Sequence, residues 1–128
     1  MPKGVLAYRS KGLLKRLAVG KEVPEPYASF LHLHGCLGGR TFTREALAEA
    51  RVTDVMRIDD GFGITRTNGT VVKIPPKAIA HFAAYIRGYL ALVESEWLFP
   101  LPRDSQRPLN VVVAKRHLRR LTDNPPAE

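Results

Sequence analysis

A single cysteine, Cys36, leaves this 128-residue chain unable to form an internal disulfide. A reducing, cytoplasmic setting is therefore the expectation. Long apolar runs are missing too, and no stretch of the sequence approaches the roughly 18 residues of a membrane span. Near the N-terminus Arg9, Lys11, Lys15 and Arg16 interrupt every apolar run, so no signal-peptide core is expected. Repeats are absent and the only biased tract is the tail "TDNPPAE", which argues against a solenoid or a low-complexity chain. With 45% apolar and 25% charged residues, the composition is that of a globular domain with a real core.

Acid is scarce in two particular places. Residues 1–21 carry Lys3, Arg9, Lys11, Lys15, Arg16 and Lys21 with no Asp or Glu. Residues 103–120 carry Arg103, Arg107, Lys115, Arg116, Arg119 and Arg120 against Asp104 alone. The middle of the chain is nearly balanced, so the net charge of +8 resides at the two ends. The pattern divides the chain into a basic N-terminal segment (1–21), a globular α+β domain ending in a basic helix (22–122) and a short tail (123–128). A polyanionic partner suits such asymmetry, with nucleic acid the first choice and an acidic protein the second.

The coarse reading of elements gives an α+β class. Ser10 and Gly20 bracket a short basic helix over 11–19, and "KEVPEPY" reads as an extended linker. Residues 27–34 fit either a buried strand or a helical turn. Thr43 caps a short helix beginning "REALAEA". "VTDVMRIDDGFGITRTNGTVVKIP" holds β-branched runs broken by "DDG" and "NG", the pattern of an antiparallel three-stranded meander within about 52–74. A two-residue Asn68-Gly69 turn would pair Arg66 with Val71 and Ile64 with Lys73, bringing Arg66 and Lys73 onto one face near the tip. If "EALAEARVTDVMRIDD" formed two helices instead, Thr53 and Arg57 would face a DNA groove. Ile79, Phe82, Ile86, Leu90, Val93 and Trp97 predict a long amphipathic helix over about 77–97. "LPRDSQRP" reads as a loop and "LNVVVA" as a buried strand, followed by a terminal helix from Ala114 to Thr122.

"FLHLHGCLGGR" (30–40) concentrates reactive residue types, yet each specific chemistry lacks a part. On a strand His32, His34 and Cys36 would share a face, but the spacing matches no recurrent zinc signature. Cys36 has no identified base with an orienting partner. The glycine spacing misses the P-loop pattern. Asp59-Asp60 is turn chemistry. No catalytic residue, metal or cofactor is therefore assigned, and a non-enzymatic role is expected; Arg40 remains as a phosphate contact beside the glycine turn.

On the terminal helix Lys115, Arg116, Arg119 and Arg120 span an arc of about 140° at 100° per residue, opposite Ala114, Leu118 and Leu121. Lys11, Lys15 and Arg16 form a second basic patch, and Arg66 and Lys73 a third at the hairpin tip. These residues point to an accessory or regulatory protein that contacts nucleic-acid phosphates. DNA is favoured over RNA because Phe and Tyr fall mostly in apolar patterns, leaving no exposed stacking platform. The alternative is a protein-interaction module or homo-oligomer subunit, a homodimer for instance, whose basic faces dock an acidic partner.

Overall fold

The computed structural model describes residues 13–19, 22–38 and 41–123. In chain order these form α1 (Leu13–Val19), α2 (Tyr27–Leu37), α3 (Arg44–Ala48), a single 3-10 turn (Val52–Asp54), β1 (Val55–Ile58), β2 (Gly61–Thr65), β3 (Val71–Lys73), α4 (Pro76–Tyr85), β4 (Pro100–Leu101), β5 (Asp104–Pro108) and α5 (Val111–Asp123). The class is α+β. It has a three-stranded antiparallel sheet ordered β1-β2-β3, a separate β4-β5 hairpin and one long helix.

The stretch that reads as strand or helix is the central helix. Every residue of α2 from Tyr27 to His34 is buried, and α2 packs against α1, α3, α4 and α5. A helix apolar on nearly all sides belongs in a core, which is why no amphipathic period marks it in the sequence. Phe30 meets Phe99 edge-on at 5.3 Å, and Leu31 and Leu33 are fully enclosed. Helical geometry also separates His32 from His34 and places Cys36 one turn beyond His32.

Pro76 opens α4 at its first turn, where a missing N–H costs nothing. The helix continues through one wide π turn (Ile86–Leu90) and a last turn (Ala91–Val93). It stops before Trp97, short of the expected end. Glu94 turns left-handed at φ 56°, and Ser95 Oγ accepts from the Trp97 backbone N–H at 3.0 Å while donating to the Ser105 carbonyl. The chain is thereby redirected, and Trp97 bridges Arg51 instead of extending the stripe. "LPRDSQRP" is not a loop but the β4-β5 hairpin. "VVV" opens α5 because Asn110 caps it, its side chain accepting from the Val112 N–H at 2.9 Å. A cap of this kind outweighs the strand preference of three valines.

The meander is present, with a register one residue away from the two-residue-turn expectation. Thr65 faces Val71, Ile64 faces Val72 and Gly63 faces Lys73. The loop holds three residues, Thr67-Asn68-Gly69, closed by Arg66 N–H to the Thr70 carbonyl (2.7 Å) and Gly69 N–H to the Arg66 carbonyl (2.9 Å). Gly69 supplies the left-handed position at φ 89° that this loop needs. Asn68 Oδ1 accepts from the Thr70 N–H and hydroxyl. A one-residue slip exchanges faces. Ile64 and Ile74 are wholly buried with Val72 and Phe62 beside them, whereas Lys73 projects from the opposite face. The two-helix alternative for 45–60 does not occur, because Val52–Asp54 is one short turn leading into β1.

Candidate nucleic-acid interface

Ala114, Leu118 and Leu121 are buried along α5, which fixes the opposite face outward. Lys115, Arg116, Arg119 and Arg120 all lie on that exposed face, but their surroundings differ. Lys115 Nζ sits 3.6 Å from Glu45 Oε2 on α3, an exposed pair. Arg120 Nη2 donates to the Glu22 carbonyl at 2.6 Å. Arg116 and Arg119 make no ion pair among the described residues, so their donors face solvent.

Arg16, on α1, reaches the same region. Its guanidinium pairs with Glu22 at 2.5 Å and donates to the Leu121 carbonyl at 3.2 Å, at the negative end of α5. Arg16's hydrogen bond, with its charge and that of Arg120 behind it, holds the Glu22 carboxyl below the usual carboxylate range. Through Arg16, α1 therefore meets the C-terminal end of α5. Only 14% of the Arg16 side chain is exposed, so it acts as a clamp between α1 and α5. Lys15 is exposed on α1. Lys11 and Arg40 lie outside the described residues.

The hairpin-tip pair separates. Arg66 lies over the Phe42 ring at 5.9 Å and makes no ion pair among the described residues. Lys73, on the other face, sits 3.5 Å from Asp59. Arg66 lines an open cleft of about 410 Å³ between α3 and the β2-β3 tip, with Phe42, Thr43, Ala46, Glu49 and Asn68.

Sequence reasoning missed two features. One is this cleft, assembled where the β2-β3 tip folds back beside residues 41–54. The other is a polar chain between α2 and α4. Ser29, only 2% exposed, meets Glu25 Oε2 at 2.6 Å and His81 Nε2 at 3.1 Å, and its N–H donates to Glu25 Oε1 at 2.9 Å. A carboxylate has no proton to give, so the serine hydroxyl donates to Glu25 and His81 must donate through Nε2. The Glu25–Ser29 spacing of four residues would have signalled this contact once 27–37 was read as helix.

This order of groups differs from a nucleophile–base–carboxylate relay, in which the carboxylate orients the imidazole. His32 stacks on His81 at 4.3 Å between centroids and tilts by 38°, so the rings lie against one another. Burial, with smaller pushes from His81 and Lys77, brings His32 down to about 4. Burial also pushes the Cys36 thiol up, away from the thiolate a nucleophile needs. Among the described residues no three of His, Cys, Asp and Glu gather as a metal site, and no helix is long and apolar enough to cross a membrane. No family model, curated protein or solved structure matches the chain.

Proposed function

We propose that this protein is a non-catalytic, cytoplasmic nucleic-acid-binding factor, accessory or regulatory in role, that grips DNA phosphates with the outer face of α5. One observation carries the reading: Arg116 and Arg119, three residues apart, are exposed with no ion-pair partner among the described residues. Their helix is held rigidly from beneath by Ala114, Leu118 and Leu121. Lys115 and Arg120 extend the row at its two ends. The convergence of α1 on the same helix end supports a single basic surface, with Lys15 at its margin and Lys11 leading toward it in the sequence. Arg40, Arg66 and Lys73 are outlying contacts in this reading, and Lys73 would have to leave Asp59 to take part.

Contacts of this kind give affinity and register, not sequence preference. Four cations neutralising four phosphates predict a log–log salt slope of about −3.6 on duplex DNA. The test is a salt titration on a short duplex with the native protein and with Arg116→Ala/Arg119→Ala. The double variant should keep its fold, because both side chains are exposed, and should reduce the slope by about 2. Binding no tighter than that of an unrelated basic protein, or a slope unchanged by the double variant, would sink the proposal. An interaction module docking an acidic protein would instead retain its partners after nuclease treatment.

A further inference from the structure

The cleft beside α3 shares only Arg66 with the proposed phosphate contacts, and its chemistry is different. Its apolar floor is Phe42, only 4% exposed, with Ala46 beside it. Around that floor stand groups with unused hydrogen-bonding capacity. Thr43 Oγ1 accepts from the Ala46 N–H at 3.0 Å, leaving its hydroxyl proton to give. Asn68 Oδ1 is occupied by Thr70, leaving its amide N–H groups to give. Glu49 and Arg66 line the same cleft without an ion pair between them.

We infer that this cleft takes one unpaired nucleobase, cytosine or adenine, from a DNA strand whose backbone lies on α5. The inference rests on the nucleic-acid reading and deepens it. A volume of about 410 Å³ lies within the roughly 300–1,000 Å³ of small-ligand sites. Donors and acceptors of both kinds around an apolar floor match the mixed edge and flat faces of a base, and the Arg66 guanidinium offers a plane for stacking. The Glu49 carboxylate repels a phosphate but accepts from an exocyclic amino group. Thymine presents a carbonyl there, and two acceptors facing each other repel. Charge thus orients the ligand, with the base in the cleft and the phosphates toward Arg66 and the α5 row. The cleft is also next to that row: Glu45, one turn before Glu49, carries the ion pair to Lys115. A base out of its stack costs less to bind where it is already unpaired.

The experiment compares a duplex carrying a single bulged cytosine with the same duplex carrying a bulged thymine and with the fully paired form. Binding is followed by fluorescence anisotropy at fixed salt. The bulged cytosine should bind about tenfold tighter than the bulged thymine, the size of one hydrogen bond to a charged acceptor. Glu49→Gln, at an exposed position, should reduce that preference to within about twofold, because an amide can face either base. Arg66→Ala should weaken both bulged duplexes more than the paired one, which loses only an outlying phosphate contact. Salt-dependent binding that ignores the bulge, and ignores Glu49→Gln, would overturn this inference while leaving the α5 reading in place. Absence of salt-dependent binding to any duplex would remove both. Displacement by free deoxycytidine monophosphate at the same nucleotide concentration would also overturn it, by making a free nucleotide the occupant.

Discussion

Mild acid should destabilise this domain through the buried histidines of α2. His32 and His34 are both buried, and burial brings each down from an ordinary value near 6.5 to about 4. For His34 the Arg44 charge adds to burial, while the hydrogen bond from Nε2 to the Phe42 carbonyl (3.0 Å) acts the other way. Between pH 6.5 and 4 the unfolded chain holds these two protons and the folded chain does not, so stability falls as pH falls through that window. Each ring surrenders about 1.4 kcal/mol per pH unit there. The two together cost about 4 kcal/mol by pH 5, a large share of the roughly 5–15 kcal/mol that holds a domain together. Urea unfolding followed by circular dichroism at pH 7.5, 6 and 5 measures the loss. His32→Leu removes one titration and also the Nδ1 that has no hydrogen-bond partner. It should therefore remove a large part of the loss by pH 5, the rest lying with His34 and with His81 and His117, which burial also pushes down. Stability that stays level to pH 5 and falls only below pH 4, or an acid response unchanged in His32→Leu, would refute the assignment.

Three further substitutions test the packing. Ser29→Ala should cost about 2 kcal/mol, since it strips Glu25 of its hydroxyl donor and leaves His81 Nε2 without its acceptor; denaturant midpoints read this directly. Tyr85→Phe should cost about 1 kcal/mol by removing the 2.7 Å hydrogen bond to the buried Leu98 carbonyl, and an unaltered midpoint would mean that water replaces the hydroxyl. Gly63→Ala should cost roughly 1–3 kcal/mol, because a Cβ there would lie 2.7 Å from Val71 Cγ1 and closer still to Ile58 Cδ1. A thermal melt no lower than that of the native protein would show that those two side chains can move aside.

Elements with a surface were the legible ones. The stripe Ile79, Phe82, Ile86 and Leu90 marked α4 because one side of that helix faces solvent and the other the core. The "DDG" and "NG" signals located the meander for a similarly local reason. α2 escaped classification because burial on all sides erases periodicity. Asn110 decided 111–113 through a single side-chain cap that strand propensity does not register. The register at the hairpin tip turned on one residue of loop length. A two-residue type I′ turn needs both Asn68 and Gly69 left-handed, whereas the three-residue loop needs Gly69 alone; asparagine and glycine tolerate that state, so the dipeptide "NG" does not distinguish the two loops.

The basic row on α5 was readable for the same reason as α4, since charge segregates on a helix whose other side is buried. What the sequence could not separate was a cation consumed by the fold from one left for a partner. Arg16 and Arg120 look identical to Arg116 and Arg119 in composition, yet the first two are tied to Glu22 and to backbone carbonyls. That distinction depends on which distant residue arrives opposite each guanidinium, which is tertiary information. It also ranks the row. Replacing Arg120 removes a tie to the 22–23 segment as well as a charge, so any loss of binding would mix stability with contact. Arg116 and Arg119 carry no such second role among the described residues, and their removal therefore reports on the interface alone.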